Sequence, residues 1–127
     1  MSKAILDSSA VLTLLQDEPG AEIIWPLVSE AVMSAVNAAE VQGKLVRLGI
    51  EPGSAWEAVI GVVQEIIPFG ARQAELTGNL LPRTIALGLS IGDRACIALG
   101  MALQLPVYTT DRAWGELKVG VEINVIR

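Results

Sequence analysis

Residues 93–114, DRACIALGMALQLPVYTTDRAW, contain the features that decide the fold. Residues 93–105 are apolar almost all round, which predicts a helix inside the domain, because a surface helix needs a polar face. PVYT, residues 106–109, predicts a buried strand, which a second threonine and Asp111 follow. A plain turn needs no carboxylate at that place, so Asp111 marks a candidate functional site.

Strand and helix patterns alternate along the rest of the chain. The predicted strands cover residues 3–7, 31–34, 65–69, 106–109 and 123–126, the last being a strand or an edge. The predicted helices cover residues 8–16, 21–30 with an interruption at Pro26, 35–48, about 54–65, 70–88 with a break near Pro82, 93–105, and 111–118 as a short helix or turn. Ser54 and Glu57 have the spacing of a capping box and set the start of the helix over about 54–65. The alternation predicts an α/β fold, a parallel sheet covered by helices, in one domain over residues 1–127.

The composition indicates a domain with surface reserved for a partner. Hydrophobic residues make up 52% of the 127 residues and charged residues 18%, and the mean hydropathy of +0.52 is on the apolar side for a soluble domain. No apolar stretch reaches the roughly 18 to 20 residues of a membrane span, and the start, MSKAILDSSAV, lacks the features of a secretory signal. The sequence therefore predicts a cytoplasmic protein.

Two residue types are too scarce for several kinds of chemistry. The chain has no histidine and a single cysteine, Cys96. This excludes cysteine-rich zinc sites, internal disulfides, and the usual general base of serine and cysteine hydrolases and of metal-free ribonucleases. Carboxylates, hydroxyls or a bound metal must supply any chemistry. The net charge of −5 is the reverse of the basic excess of nonspecific nucleic-acid binders, so a polyanionic substrate needs positive charge from another source.

Four acidic residues lie at corresponding places in the predicted fold: Asp7, Glu40, Asp93 and Asp111. Each lies at or just past a strand end, or in the first turns of the helix that follows. Ligands of open parallel sheets bind outside the carboxyl ends of the strands, so we expect all four acids in one cleft. Small polar residues accompany them in the sequence, namely Ser8, Ser9, Asn37 and Thr109.

Each acid also has a purely structural interpretation. Asp7 has the place of an N-cap for the first helix, and Glu40 has the spacing of an i,i+4 ion pair with Lys44. Asp93 has the place of a capping box with the serine three residues earlier, and Asp111 that of an Asx turn. The joint pattern favours a functional interpretation, because the two-residue period of a strand puts the hydroxyl of residue 109 on the same side as Asp111.

Several carboxylates in one cleft repel each other, and burial further disfavours their charged forms. A divalent cation removes this conflict. Mg²⁺ prefers oxygen ligands, keeps several waters, and uses one or two carboxylates together with substrate phosphate, which suits a site without histidine or cysteine. The sequence therefore predicts a magnesium site, and the ion also supplies the positive field that a phosphodiester needs.

The sequence resembles PIN-domain proteins, and specifically the VapC-type toxin ribonucleases of type II toxin–antitoxin systems. The resemblance lies in ILDSSAVLTLL (5–15), MSAVNAAEV (33–41), LGLSIGDRACIALGMALQLPVYTTDRAW (87–114) and NVI (124–126). It covers most of the chain apart from about residues 50–80. The order, spacing and context of the acidic residues all agree with the family pattern.

The resemblance implies a three-layer α/β/α sandwich around a central, mainly parallel sheet of four to five strands. It also implies endoribonuclease activity that depends on Mg²⁺ or Mn²⁺, a homodimer, and a cognate antitoxin that wraps the protein and blocks the site. The family's four acidic positions correspond to Asp7, Glu40, Asp93 and Asp111. Its remaining site positions correspond to Thr109, to Ser8 or Ser9, and to Trp114, for which packing is the expected role.

We hypothesise that Asp7 and Asp93 hold the main metal, while Glu40 and Asp111 complete the site or hold a second ion when RNA is bound. The residues expected to orient waters or ligands around them are Ser9, Thr109 and Asn37. Arg94 and Arg112 each follow an acidic position and are candidates for holding RNA phosphates. The alternative for each arginine is a salt bridge or a solvated side chain.

Two other functions are compatible with parts of this pattern. A noncatalytic PIN-like binding module would use the acidic cleft for a basic peptide of a partner. An aspartyl-phosphate phosphohydrolase or receiver-like domain would use Asp7, but such proteins have a second acid two residues later, where this chain has Ser9, or a lysine near a late strand end, which residues 106–112 lack. The apolar residues expected in a dimer interface or in the monomer core are Ile23, Ile24, Trp25, Leu27 and Val28.

Overall fold

The computed structural model describes residues 1–127 and contains one five-stranded sheet. Every strand pairing is parallel, and the order across the sheet is β3-β2-β1-β4-β5. The five predicted strands and the parallel sheet are therefore confirmed. The strands are β1 (Ala4–Leu6), β2 (Ala31–Ser34), β3 (Glu65–Ile67), β4 (Val107–Thr109) and β5 (Ile123–Val125).

Helices cover both faces of this sheet, which confirms the three-layer α/β/α architecture. Three short 3₁₀ segments cover Trp25–Glu30, Ile85–Leu87 and Arg112–Glu116. The α-helices are α1 (Ser8–Leu15), α2 (Ala21–Ile24), α3 (Ala35–Arg47), α4 (Pro52–Ile60), α5 (Ala71–Asn79), α6 (Leu81–Thr84) and α7 (Ile91–Leu103).

Side chains of the strands alternate between two hydrophobic cores, one on each face of the sheet. Leu6 and Met33 belong to the core that contains residues of α1, α3 and α4. Ile5 and Val32, their neighbours in sequence, belong to the core built around α7. Because both faces are covered, the strands consist of apolar runs rather than of alternating apolar and polar residues.

The helix α7 is buried through its middle, from Ala95 to Gly100, which confirms the prediction of an internal helix. It begins at Ile91, two residues earlier than predicted, because Ser90 is its N-cap. Gly100 lets α7 approach β4 closely, since a Cβ added there would lie 2.5 Å from a methyl group of Val107. This close packing brings the second half of α7 against the first residue of β4.

The direction in which strands are added to the sheet reverses at β1. The chain fills one side of β1 with β2 and β3, and then crosses to the other side for β4 and β5. The helices that follow β1 and β4 therefore leave the sheet in different directions. In open parallel sheets such a switch point is where ligands bind.

The predicted start of α4 is wrong. Ser54 and Glu57 do not form a capping box; Glu51 is the N-cap, and its carboxylate accepts from the N–H groups of Gly53 and Ser54, both at 3.0 Å. Pro52 suits the first turn because it has no N–H to satisfy there. The N-cap therefore lies three residues before the predicted one, the helix starts at Pro52, and it ends at Ile60, short of the predicted 65.

Both predicted proline breaks occur, but each lies just before the proline. α2 ends at Ile24, and the chain continues as a 3₁₀ segment with Pro26 near its start. α5 ends at Asn79, and α6 begins at Leu81 with Pro82 in its first turn. A proline ring clashes with the preceding helical turn, so the earlier helix stops before it.

Two of the exposed apolar residues of the chain lie in α2 and directly after it. Trp25 is 68% exposed and Ile23 is 44% exposed, while Leu27 and Val28 are partly buried. Ile24 is fully buried, so of these residues it alone belongs to the core. None of the helices combines the length and hydropathy required to cross a bilayer.

Candidate functional site

Asp7 is the most enclosed of the four acids, with 3% exposure. It follows β1 directly, and its backbone N–H donates to the carbonyl of Tyr108 in β4 at 3.0 Å. The hydroxyls of Ser9 and Thr109 donate to Oδ2 of Asp7 at 2.6 and 3.0 Å. Asp7 occupies the N-cap position of α1, yet its side chain makes no capping hydrogen bond. The purely structural interpretation of Asp7 is therefore wrong.

The electrostatic surroundings of Asp7 disfavour its negative charge. Burial raises the pKa of Asp7 to about 6; the hydroxyls of Ser9 and Thr109 and the backbone N–H of Ser8 act against this rise, and the negative charge of Asp93 adds to it. Oδ1 of Asp7 is buried and has no hydrogen-bond partner. A buried acceptor without a partner needs an explanation, and a nearby cation would both satisfy the oxygen and stabilise the charged form.

The carboxyl group of Glu40 is hydrogen-bonded within its own helix, to Asn37, and lies against Gly92 at the start of α7. The side-chain amide of Asn37 donates to Oε1 of Glu40 at 2.9 Å and to the carbonyl of Gly92 at 3.0 Å. A Cβ added at Gly92 would overlap the carboxyl group of Glu40, whose carbon would lie 2.6 Å away. The predicted alternative, an ion pair between Glu40 and Lys44, is absent from the three ion pairs of the chain.

Asp93 forms the capping box that its spacing predicts. The N–H of Ser90 donates to Oδ2 of Asp93 at 2.9 Å, and the N–H of Asp93 donates to the hydroxyl of Ser90 at 3.1 Å. The capping role uses one carboxylate oxygen and leaves Oδ1 without a hydrogen bond. Because the charge of Asp93 raises the pKa of Asp7, this capping residue also lies in the electrostatic field of the site.

Asp111 also combines a structural bond with a place beside the site. Its Oδ1 accepts from the N–H of Ala113 at 3.0 Å, which confirms the predicted Asx-type turn at the start of the 3₁₀ segment. Its own N–H donates to the hydroxyl of Thr109 at 3.1 Å. Since the same hydroxyl donates to Asp7, Thr109 connects the loop after β4 to the acid after β1.

The buried thiol of Cys96 shows which acids lie around the start of α7. Burial raises the pKa of this thiol well above its usual range, and the carboxylates of Asp7, Asp93 and Glu40 add to the rise. Asp111 is connected to Asp7 through its backbone only, because its N–H donates to the Thr109 hydroxyl that donates to Asp7. No three acidic or thiol side chains are close enough to hold a metal ion among themselves. The acids therefore share one region without forming a closed cage.

The donor set nevertheless fits a hard divalent cation. Mg²⁺ is usually bound by one or two carboxylates and keeps several waters, so a cage of three protein ligands is not required. Asp7 offers the unpartnered Oδ1, and the free oxygen of Asp93 belongs to the same electrostatic environment. An all-oxygen set without histidine or thiolate donors is typical of magnesium and manganese sites.

Comparison with known proteins gives the family. The family model described as the PIN domain matches residues 4–119, a range that includes all four acids. The chain belongs to the PIN-domain family. No curated protein sequence matches this PIN domain.

Solved structures confirm the fold of this PIN domain. VapBC2 from Rickettsia felis, bound to a promoter DNA fragment, is 13% identical, covers 94% of this chain and 96% of the matched chain, and has a TM-score of 0.72. DNA-bound VapBC from Salmonella typhimurium is 18% identical, covers 97% of each chain, and has a TM-score of 0.73. VapC20 from Mycobacterium tuberculosis, a sarcin–ricin loop cleaving toxin, is 18% identical over 94% of this chain and 99% of the matched chain, with a TM-score of 0.71. At these identities the likeness shows a shared fold.

The two candidate arginines of the PIN domain differ in their surroundings. Arg94 is directed at α5, where its Nη1 donates to the carbonyl of Thr77 at 3.1 Å and its Nε is buried without a partner. Arg112 is exposed and donates only to the C-terminal carbonyl of Arg127, at 3.3 Å. Neither forms an ion pair; Arg112 is exposed, whereas Arg94 is partly buried.

The structure also decides between neighbouring residues that the sequence left open. The hydroxyl of Ser9, rather than that of Ser8, donates to Asp7, and it additionally accepts from the N–H of Thr110 at 3.0 Å. Trp114 is fully buried in the core around α7, as expected of a packing residue.

Sequence reasoning missed Gly92, whose backbone forms one wall of the site. Its carbonyl accepts from Asn37, and its missing side chain leaves room for Glu40. One signal was present, because glycine inside a helix costs about 0.5–1 kcal/mol relative to alanine and usually has a packing or functional reason.

Proposed function

We propose that this PIN domain is a divalent-metal-dependent endoribonuclease, the toxin of a toxin–antitoxin pair, which hydrolyses RNA phosphodiester bonds with Mg²⁺ or Mn²⁺. The observation that carries the proposal is the state of Asp7. Its Oδ1 is buried without a hydrogen-bond donor, and burial and Asp93 both oppose its charge. A cation relieves both problems at once, and a chain without histidine lacks the usual metal-free general base.

Within this proposal Asp7 and Asp93 hold the principal ion, while Glu40 and Asp111 complete the site or hold a second ion when RNA is bound. When bound, the ion lowers the pKa of a water molecule and neutralises negative charge that develops on the phosphate. The two hydroxyls that donate to Oδ2 of Asp7 fix its carboxylate in one orientation. That orientation keeps Oδ1 available for binding.

The remaining residues position the substrate and the acids. Asn37 holds the carboxylate of Glu40 against the start of α7. In this proposal Arg112, which is exposed in the segment after β4, contacts a flanking phosphate. Water attacks the phosphorus opposite the 3′-oxygen, so the product retains a 5′-phosphate.

The proposed partners are an antitoxin and a second copy of the chain. The fold is shared with VapBC complexes, and an acidic cleft suits a basic segment of an antitoxin, because arginine and carboxylate form strong charge-assisted hydrogen bonds. The exposed Ile23 and Trp25 offer apolar surface for a homodimer. The proposal implies that the protein acts in the cytoplasm on RNA.

Asp93→Asn is the substitution that tests the nuclease most directly. Asparagine keeps an oxygen acceptor for the N–H of Ser90, so the capping box survives while the negative charge is lost. We expect RNA cleavage in Mn²⁺ to fall by about 100-fold or more, since even residues that only support metal ligands cost about 10- to 100-fold. Cleavage of total RNA, with and without chelator, measures this. Glu57→Gln, an exposed acid on α4, is the matched control and should cleave like the wild type.

Two results would contradict the proposal. Cleavage that persists in chelator would show that the activity does not depend on a metal ion. RNA left intact by the wild-type protein in Mn²⁺ and in Mg²⁺ would leave a noncatalytic binding module as the function. Millimolar Mn²⁺ should in addition raise the melting temperature of the wild type, because a ligand that binds only the folded state stabilises it.

A further inference from the structure

Two unpaired cations lie on the face of α3 that begins at the site. Glu40, Lys44 and Arg47 occupy positions i, i+4 and i+7 of α3, which places them on one side of the helix. At 1.5 Å per residue, Lys44 lies about 6 Å and Arg47 about 10 Å along the axis from Glu40. Lys44 and Arg47, called here the basic pair, therefore follow Glu40 along the same side of the helix.

Both members of the basic pair are free to bind a ligand. The three ion pairs of the chain join Lys3 to Glu30, Arg72 to Glu75 and Arg127 to Glu18, so neither cation has an acidic partner. The acid one turn before Lys44 is Glu40, which the amide of Asn37 holds against α7 instead. Both side chains are exposed. In a chain with net charge −5, two unpaired cations on one helix face are a local exception.

The basic pair borders a cavity between α1 and α3. This cavity has a volume of about 300 Å³ and is lined by Leu12, Gln16, Lys44, Arg47 and Leu48. That volume is at the lower end of small-ligand pockets. Its chemistry is an apolar floor, one amide and two cations. A cavity of about 500 Å³ between α1 and α2 contrasts with it, because its charged lining residues are acids, Asp17 and Glu22.

We propose that the basic pair and this cavity bind the RNA strand next to the scissile phosphate. Single-stranded RNA presents a phosphate at every nucleotide and an unstacked base that can enter a pocket. The cations neutralise two phosphates, the leucines contact one base, and the amide of Gln16 hydrogen-bonds to its edge. The inference rests on the proposed nuclease function, because it assumes that the same RNA strand also passes through the carboxylate site.

RNA fits these observations better than an acidic peptide does. The cations lie in line with Glu40 on one helix face, as a polymer that is cleaved beside Glu40 requires. Phosphates would also reach the basic pair without approaching an acidic side chain in the cavity, since none lines it. An acidic peptide would use the same two charges but has no need for their alignment with the site.

The test compares two double variants that remove the same charges. Lys44→Ala/Arg47→Ala removes the basic pair, and Arg83→Ala/Lys118→Ala removes one exposed arginine and one exposed lysine that also lack acidic partners. Binding of short single-stranded RNA of mixed sequence is measured with each pair in the Asp93→Asn background, across a salt series. The KM and kcat for RNA cleavage are measured with each pair in the wild-type background.

We expect the loss to be confined to the basic-pair variant. Each phosphate contact on a single strand contributes about 0.7 to the slope of log affinity against log salt, so the slope should fall by about 1.4 and affinity by about 25-fold at 0.1 M salt. KM should rise to a similar extent, while kcat at saturating RNA stays near that of the wild type. The control variant should keep the wild-type slope.

Other outcomes overturn the inference without affecting the proposed function. Equal losses in both double variants would mean that only net charge matters. Unchanged RNA affinity combined with lost binding of poly-glutamate by the basic-pair variant would assign the surface to an acidic protein partner. Conversely, a wild-type protein that cleaves no RNA, while the Asp93→Asn protein binds it through the basic pair, would reject the nuclease and retain this surface.

Discussion

The four acids differ in how their carboxylate oxygens are used. Asp93 and Asp111 each give one oxygen to a backbone N–H at a helix start, so their structural role holds and a second oxygen remains for other contacts. Asp7 makes no cap, and Glu40 makes no ion pair with Lys44. At the residue scale, the two acids without a cap or an ion pair are held by side-chain donors. The hydroxyls of Ser9 and Thr109 hold Asp7, and the amide of Asn37 holds Glu40.

Gly92→Ala should reduce catalysis while leaving the fold intact. The added methyl group would overlap the carboxyl group of Glu40, and a glutamate side chain can move aside at little cost to stability. The displaced Glu40 would lose its bond from Asn37. We expect kcat/KM for RNA to fall by about 10- to 100-fold, as for other residues that support metal ligands, with a nearly unchanged melting temperature.

Gly78→Ala is the matched control for this substitution. Gly78 also lies in a helix, α5, but a Cβ there would meet nothing within 4 Å. Alanine should therefore preserve activity and raise stability by up to about 1 kcal/mol. A loss of activity in Gly92→Ala that merely tracks a lower melting temperature would contradict the positioning role.

At the element scale, the periodicity of apolar residues predicted where most helices lie. The exact start of a helix was harder to predict where two capping signals occur close together. Two capping signals occur close together before α4: a glutamate followed by proline at 51–52, and the serine–glutamate spacing at 54 and 57. The first prevails because Pro52 is preorganised for the first helical turn and the Glu51 carboxylate accepts two N–H groups. Those bonds also hold the pKa of Glu51 below its usual range.

Glu51→Ala should lower the melting temperature, whereas Glu57→Ala should leave it near that of the wild type. The first substitution removes the acceptor for the N–H groups of Gly53 and Ser54, and the second removes an exposed side chain without a hydrogen bond. Thermal unfolding followed by circular dichroism measures both. A larger decrease in melting temperature for Glu57→Ala than for Glu51→Ala would instead support the capping box that the sequence predicted.

At the scale of the whole molecule, the sheet order generates the site. β1 lies between β2 and β4, so residues far apart in the chain meet where the winding of the sheet reverses. The consequence is a buried carboxylate, Asp7, whose charge the metal-free fold disfavours. The site is therefore maintained at the expense of stability, as is common for functional sites.

The free energy of unfolding of the metal-free protein should fall as pH rises from about 4 to 6. The pKa of Asp7 is about 6 in the folded state and about 3.9 when unfolded. Below pH 4 the carboxyl group is protonated in both states. Between these values the unfolded state loses its proton first, so unfolding is favoured by up to about 3 kcal/mol, and above pH 6 the effect is constant.

Urea unfolding in chelator across this pH range measures the effect. Asp7→Asn should lose this component and be more stable than the wild type at pH 7, because the amide carries no charge to desolvate. Glu57→Gln should keep the wild-type pH dependence. An identical pH dependence in Asp7→Asn and the wild type would show that Asp7 titrates normally in the folded state.

Local patterns in the sequence were sufficient for the elements and for the four acids. The apolar run of α7, the five short strands and the position of an acid near each relevant strand end all follow from periodicity within a few residues. The three-layer architecture follows from the alternation of strands and helices together with the family resemblance. Element ends were less accurate, since capping depends on which of several nearby side chains reaches the free N–H groups.

The sequence by itself therefore determined the order of the elements, the parallel sheet and the identity of the candidate acids, because these depend on neighbours within one or two turns. The tertiary structure decided which partner each side chain takes. It packed the carboxyl group of Glu40 against Gly92, bonded Ser9 to Asp7 and directed Arg94 to α5. Two of those three contacts join residues from different elements, and their geometry is set by how closely α7 packs on the sheet, which no local pattern specifies.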